Sequence, residues 1–263
     1  MSLLRRLLDV IYPPRCLICR EFLPTDSGDE SGAPRFLCHP CLSRFRPIVP
    51  PLCPVCGRPF PAPGGEDHLC EACLKHPPAY EATRAPYRFE GPLMEAIHRF
   101  KYGGNPSIAH SLGPLLAGFA RTWLAEDEDR VIMPVPLHPK RLRERGFNQS
   151  LLLARHVARE LETEVDFLSL RRVRYTPPQT TLPKEARRKN VRGAFQLHNP
   201  GPYKGKSVLL VDDVATTGNT LNECARALTR SGCRKVRCLV LARTMGQDRH
   251  GHPPSKDQGP GRD

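Results

Sequence analysis

Residues 208–220 read VLLVDDVATTGNT. Val208, Leu209, Leu210 and Val211 form a short unbroken apolar run, the pattern of a strand buried on both faces of a parallel sheet. Asp212 and Asp213 follow at once. Two adjacent carboxylates are costly to bury, so the strand is expected to end there and open onto solvent or a ligand. Ala215, Thr216, Thr217, Gly218, Asn219 and Thr220 then make a small, hydroxyl-rich turn. Beyond it Leu221, Cys224, Ala225 and Leu228 fall on one face of a helix, and Thr220 with Glu223 has the spacing of a capping box.

These parts suit an anion. Backbone N–H groups and the helix dipole attract a phosphate, threonine hydroxyls add donors, and Gly218 lets the backbone come close. The carboxylates only accept hydrogen bonds, which suits a sugar diol or the water shell of a metal. Phosphate, diol and acidic pair together describe a ribose 5-phosphate, at the carboxyl end of a strand where open α/β sheets bind ligands. No Gly-Lys-Ser/Thr follows, so this is not a Walker loop, and G-x-G-x-x-G is absent. The alternative is a strand–turn–helix whose acidic pair merely ends the strand.

Working outward, Val236–Leu241 is expected as a last strand, with Cys224, Cys233 and Cys238 as small core or surface residues. Residues 246–263 are polar and rich in Gly and Pro, the composition of a disordered tail. Upstream, Val131–Val135 reads as the first central strand. It leads into Leu137, His138, Lys140, Arg141, Arg143 and Arg145, a basic loop before a helix over 150–161 and a second candidate anion site. Phe167, Leu168 and Leu170 mark a further strand. Residues 173–190 form a long basic loop of the length that is usually functional or disordered, and 191–197 is expected as β-ribbon. Earlier still, Tyr87–Phe89 reads as a short edge strand. Leu93, Met94, Ile97 and Phe100 make a helix ending at Lys101-Tyr102-Gly103-Gly104. A longer helix carries Ile108, Leu112, Leu115, Leu116, Phe119 and Trp123 on its buried face. The acidic run 126–129 is a solvated turn.

Eight cysteines precede all this as four C-x-x-C pairs: Cys16/Cys19, Cys38/Cys41, Cys53/Cys56 and Cys70/Cys73. Two intervening residues let one tight turn aim both sulfurs at one ion, and two such turns complete a closed, structural S4 site. Sequential pairing gives x18 and x13 spacers, while nested or crossed pairings stay open. A redox C-x-x-C or an iron–sulfur cluster is the alternative chemistry. His39 and His68 are read as bystanders, and the polar loop 26–33 as mobile.

The 263 residues suffice for one large or two modest domains, and 39% hydrophobic content supports a packed core. Net charge is +13, and residues 134–192 alone carry 14 Lys/Arg against 6 Asp/Glu, so phosphates, nucleic acid or anionic surfaces are plausible partners. No apolar run approaches the ~18 residues of a transmembrane helix. Leu3, Leu4, Leu7, Leu8 and Ile11 form one face of a short helix, with Arg5, Arg6 and Asp9 interrupting any signal-peptide pattern. That helix is expected to pack on the body of the protein; weak peripheral membrane contact through Arg5 and Arg6 is the second reading. A reducing, cytoplasmic compartment follows as an expectation, and there so many cysteines favour metal over disulfides.

The 208–220 stretch resembles the signature of the phosphoribosyltransferases that bind 5-phosphoribosyl 1-pyrophosphate (PRPP). Three further segments sharpen the likeness: Phe100–Gly104; Val135–His138 with Arg145–Gln149; and Pro178-Gln179-Thr180 with Arg188, Asn190, Val191, Gly193, Ala194 and Phe195. With the cysteine pairs, the chain is similar to the ComF family, competence-associated phosphoribosyltransferase-like proteins of bacteria. The resemblance implies an α/β type I phosphoribosyltransferase fold behind a small N-terminal double zinc ribbon. The expected organisation is a helix over 1–14, the ribbon over 15–79, the phosphoribosyltransferase-like domain over 80–243 and a tail over 244–263. It implies two structural zinc ions on Cys16, Cys19, Cys38, Cys41, Cys53, Cys56, Cys70 and Cys73, and Mg²⁺ with PRPP. Asp212 and Asp213 would hold the ribose hydroxyls, Ala215 to Thr220 would cradle the 5-phosphate, and the loop Leu137 to Arg141, with Leu137 and His138 as binding residues, would face the pyrophosphate. The stretch 179–190 would be a mobile hood. Lys140, Arg141, Arg145 and Arg188 are candidates to stabilise the leaving group. The acceptor is unknown. Two further readings compete with phosphoribosyl transfer: a non-catalytic PRPP sensor, and an adaptor handling single-stranded DNA beside competence proteins in natural transformation.

Overall fold

The run at 208–211 lies inside the sheet because parallel neighbours occupy both of its backbone edges. The computed structural model describes residues 13–23, 36–61, 64–124, 130–175 and 191–245. Short helices α1 (His39–Leu42) and α2 (Glu71–Lys75) lie among the cysteines, followed by strands β1 (Ala82–Arg84) and β2 (Tyr87–Arg88). Next come helices α3 (Gly91–Tyr102) and α4 (Ala109–Trp123), strand β3 (Arg130–Pro134), and helices α5 (Pro139–Arg145) and α6 (Gln149–Glu160). The chain then forms β4 (Leu170–Arg172), β5 (Phe195–Leu197), β6 (Ser207–Ala215), helix α7 (Asn219–Arg230) and β7 (Lys235–Arg243). Among the described residues the main sheet is parallel, in the order β1-β7-β6-β3, with β2 also on β7.

Alternation along the strands builds three layers. Leu209, Val211, Leu239 and Leu241 pack one way, against Leu93, Ile97, Phe100, Leu112, Leu116, Leu153 and Val157 of α3, α4 and α6. Val208, Leu210, Val236, Cys238 and Val240 pack the other way, against Leu221, Cys224, Ala225 and Leu228 of α7. A strand buried on both faces is apolar at every position, as the 208–211 run is.

Several expectations are corrected. β6 does not end at the acidic pair but runs through it to Ala215, paired with β7 at Asp212, Val214 and Ala215. Backbone pairing sets a strand's length, and a buried carboxylate is tolerated where a counter-charge meets it. The capping box at the start of α7 is not formed. The N-cap is Gly218, and Glu223 Oε2 instead accepts from the Gly193 N–H at 2.9 Å. Among the described residues β3 is not central, since its outer edge carries only an isolated bridge from Ile132 to Val165. The basic loop folds partly into α5, whose end Gly146 closes at φ 83°. Phe167 and Leu168 are exposed and precede β4, and Met94 is exposed on α3. The ribbon expected over 191–197 is met in part by β5, antiparallel to β4. The expectations for residues 1–12, 26–33, 126–129, 176–190 and 246–263 lie outside the described residues, and with them the loop at Gln179 and candidate Arg188.

The cysteine-bearing segment hydrogen-bonds onto the short edge strands. The Thr83 N–H donates to the Val55 carbonyl at 2.7 Å and the Arg88 N–H to the Arg46 carbonyl at 2.8 Å. Gly57 takes φ 68°, and a Cβ there would sit 2.3 Å from the Thr83 carbonyl oxygen, so this approach admits only glycine. An edge strand covered in this way is no longer a template for pairing with other chains.

Candidate functional site

Because β3 and β6 are parallel neighbours in register from Arg130↔Ser207 to Pro134↔Val211, their carboxyl ends open on the same edge. On that edge β3 leads into Leu137 and His138, and β6 carries Asp212 and Asp213 and leads through the turn at Thr217 into α7. The two carboxylates are not equivalent. Successive strand residues face opposite sides. Asp212 is half-buried; its Oδ1 accepts from the Ser150 hydroxyl at 2.7 Å and from the Asp213 N–H at 2.9 Å. Asp213 is buried, and its Oδ2 lies 2.9 Å from Lys101 Nζ. Burial first, and the charge of Asp213 second, push the Asp212 carboxyl up to about 7, against the pull of Ser150, Lys101 and the Asp213 N–H. Thr216 is exposed, Thr217 half-buried, and Gly218 takes φ 75° with room for a Cβ limited by the Tyr80 hydroxyl at 3.2 Å.

The β3 side is wired to the same carboxylate. Asn148 caps α6 through the Ser150 N–H at 3.0 Å and donates to the Val135 carbonyl at 3.1 Å. It thereby sets the Ser150 hydroxyl on Asp212. His138 Nδ1 caps α5 by accepting from the Lys140 N–H. Of the basic candidates, Lys140 lies over the Tyr175 ring at 4.8 Å, Arg141 pairs with Glu144 at 3.3 Å, and Arg145 donates to Gln149 at 2.6 Å beside the Tyr102 ring.

Sequence reasoning gave no role to Lys101 or Ser150. Lys101 follows the apolar stripe of α3, and only tertiary packing shows which carboxylate it meets. Replacing Lys101 by Met is expected to leave a buried charge without its partner. The cost is about 3–5 kcal/mol. Chemical denaturation of the native chain, of Lys101→Met and of Lys101→Met with Asp213→Asn checks this. A loss that the added Asp213→Asn does not relieve would show that the ion pair does not carry the effect.

The cysteines resolve into two sites. Cys16, Cys19, Cys38 and Cys41 form one and Cys53, Cys56, Cys70 and Cys73 the other, all sulfurs within 4.8 Å of one another, so the pairing is sequential. Cys19 and Cys38 sulfurs are 3.6 Å apart, Cys56 and Cys70 sulfurs 3.7 Å. Four sulfurs tetrahedrally placed about ~2.3 Å from zinc stand roughly 3.8 Å from each other, far longer than a disulfide. Backbone N–H groups of Ile18 and Cys38 point at the Cys16 sulfur, and that of Cys70 at the Cys53 sulfur. Burial alone would raise both thiols. These and neighbouring donors, the Cys56 N–H foremost at Cys53, outweigh it, lowering Cys16 to about 6 and Cys53 to about 7, while burial raises Cys38, Cys41, Cys56 and Cys73, so one sulfur of each site is poised as a thiolate. The sites fit two structural zinc ions. His68 stacks on Phe60 instead of joining a site.

Residues 148–258 match the phosphoribosyl transferase domain model and residues 7–74 the double zinc ribbon domain model. DNA utilization protein YhgH of Escherichia coli O157:H7 is 36% identical over 188 residues, 70% of this chain and 82% of that protein. Competence protein F of Haemophilus influenzae is 34% identical over 180 residues, 66% of this chain and 78% of that protein. Competence protein ComFC of Bacillus subtilis is 28% identical over 151 residues, covering 57% and 59%. Among solved structures, a hypoxanthine phosphoribosyltransferase of Staphylococcus aureus covers 55% of this chain and 70% of its own at 12% identity and TM-score 0.36, a likeness too distant to carry function.

Proposed function

The chain belongs to the ComF family of DNA utilization protein YhgH and competence protein F, and from that membership we propose that it binds PRPP with Mg²⁺ and transfers the phosphoribosyl group to an acceptor. A double zinc ribbon precedes a type I phosphoribosyltransferase domain. The observation that carries the proposal is the acidic pair at the carboxyl end of β6, one turn before the N-terminus of α7. Asp212, held from behind by Ser150, keeps acceptor capacity toward a ribose diol. Thr216, Thr217 and the N–H groups at the start of α7 suit the 5-phosphate. Asp213, locked on Lys101, sets the charge behind Asp212.

Transfer breaks the C1–O bond, whose electron pair leaves on pyrophosphate, while a lone pair of the acceptor forms the new bond to C1. Positive charge grows on the ribose, where the acidic pair stabilises it. The leaving group would meet Lys140, Arg141 and Arg145 once their present partners release them. Mg²⁺, held by oxygen ligands of PRPP and water, would neutralise pyrophosphate charge. Product detection from labelled PRPP, incubated with metabolite and single-stranded DNA pools, tests the turnover. Binding without turnover under all conditions would favour a PRPP sensor.

Acidity gives a second handle. An Asp whose pKa rises from 3.8 unfolded to about 7 folded holds its proton more tightly in the native state. Its contribution to stability is therefore favourable at acid pH and lost as pH rises toward 7. Diol binding needs the carboxylate. PRPP affinity is thus expected to rise roughly tenfold between pH 6 and pH 8, measured by calorimetry. A flat profile with Asp212→Asn as comparator would remove Asp212 from the diol contact.

The relatives' names concern DNA utilization and competence, and the net charge of +13 favours single-stranded DNA as a further partner. Contact with four phosphates predicts a log–log salt slope of about −3. A slope near zero in fluorescence anisotropy would remove the electrostatic form of this reading.

A further inference from the structure

Between the second cysteine site and the start of α7 lies a cavity of about 700 Å³, within the ~300–1,000 Å³ of small-molecule sites. Its walls come from both halves of the chain. The turn Thr217–Asn219 and Asn222 and Arg226 of α7 form one side, while Arg58, His76 and the apolar surface of Pro77, Pro78 and Tyr80 form the other, with Arg243 at the end of β7. Among the described residues no Asp or Glu lines it, and neither do Lys101 or Ser150, while Cys56, Cys70 and Cys73 of the second cysteine site do. Three guanidinium groups face this space beside those sulfurs.

Several polar atoms there lack protein partners. Arg243 is only 4% exposed, yet its Nε and Nη1 make no hydrogen bond. Arg58 Nε and Thr217 Oγ1 are also buried without a partner. Unpaired buried donors are costly, and their grouping on one cavity marks a place for an acceptor-rich ligand. The charge of Arg243 also offsets that of the Cys56 thiolate, and Arg226 Nε meets Glu223 Oε1 at 3.6 Å. Those contacts leave Arg58 Nε without a partner, while Thr217 already serves the PRPP side of the shared turn.

We propose that this cavity is a second anion site, taking a phosphomonoester of nucleotide size. The phosphate lies among Arg58, Arg226 and Arg243, and the sugar and base lie on Pro77, Pro78 and Tyr80. Guanidinium forks suit phosphate oxygens better than a point charge does. The site is independent of the diol contact at Asp212, since neither Asp212 nor Asp213 lines the cavity. It shares a wall with that site, the Thr217–Asn219 turn. The same terminal phosphate could come from a free nucleotide or from the 5′ end of a DNA strand.

The test is calorimetry on the full-length, zinc-loaded chain with thymidine 5′-monophosphate, thymidine, and a short oligonucleotide with and without a 5′-phosphate. The phosphorylated probe should bind at least tenfold more tightly than its unphosphorylated counterpart. If the mononucleotide binds, the site takes free nucleotides; if only the 5′-phosphorylated strand does, it takes DNA ends. Arg58→Ala with Arg226→Ala, and separately Arg243→Gln, should each weaken binding tenfold or more. Arg226 is exposed, so the double variant is the one expected to fold and keep its zinc even where Arg243→Gln does not. The Asp212→Asn variant should bind the mononucleotide as before. Four results would each overturn the proposal: no preference for phosphate, an unchanged affinity in the Arg58/Arg226 variant, loss of binding in Asp212→Asn, or competitive displacement by PRPP. The last would make the cavity part of the PRPP site.

Discussion

A chain carrying Asp212→Asn and Asp213→Asn together is expected to bind PRPP with Mg²⁺ some ten- to a thousandfold more weakly than the native chain. The loss follows from donors and acceptors. With Asp212→Asn, the new amide can still accept from Ser150 and from the Asp213 N–H through its carbonyl oxygen, which turns its NH2 toward the ligand. That group then faces ribose hydroxyls or metal-bound waters that also donate. Each mismatched, desolvated contact costs roughly 1–3 kcal/mol. Asp213→Asn removes the counter-charge of Lys101, 2.9 Å away in the native chain, so part of its effect should appear as instability. The single variants separate the two: Asp212→Asn should act mainly on affinity, and Asp213→Asn mainly on the denaturation midpoint. Thr217→Val, which removes one hydroxyl at nearly constant volume, should weaken PRPP binding with the fold unchanged. Native affinity in a folded double variant would mean that the acidic pair is only part of a strand, and the proposed chemistry would fall with it.

Cys53→Ser is expected to reduce bound zinc from two ions per chain to one and to unfold the second cysteine site. Apparent zinc affinities of about 10–16 kcal/mol in small zinc-folded peptides are folding energy, so losing one ligand of four removes most of what orders this segment. Cys53 is fully buried and its sulfur receives the Cys70 N–H, so a water cannot easily take its place. Disorder should spread to the contacts the segment makes with β1, including the Thr83–Val55 hydrogen bond. Metal analysis and limited proteolysis read both effects. Cys16→Ser should instead disturb the contact with α3, where Arg99 donates to the Leu17 carbonyl. PRPP affinity should change by no more than a few-fold in either, since the acidic pair is ordered by β7, Ser150 and Lys101. Purified native chain without zinc, prepared without chelators, would contradict the closed-site reading outright.

Much of this protein could be read from the order of its residues. The run at 208–211 announced a doubly buried parallel strand because apolar residues at every position leave no solvent face. The stripe of Leu221, Cys224, Ala225 and Leu228 gave the buried face of α7 because helical periodicity is local. The four C-x-x-C pairs announced thiolate sites because two ligands per turn is a property of a short segment. What sequence could not supply were the partners of charged and polar groups brought together from distant segments. It ended β6 at Asp212 because two adjacent carboxylates look unburiable in isolation. The structure carries the strand through them because Lys101 and Ser150, on two other helices, meet one carboxylate each. The capping box failed for the same reason: the Gly193 N–H takes Glu223 before Thr220 can use it. β1 went unseen because three residues are too few to show a period, and it exists through pairing with β7. Which cysteine pairs share a site, and which arginines share a cavity, were likewise decided by tertiary packing, since electrostatic and hydrogen-bond partners are fixed by distance in space and not by spacing along the chain.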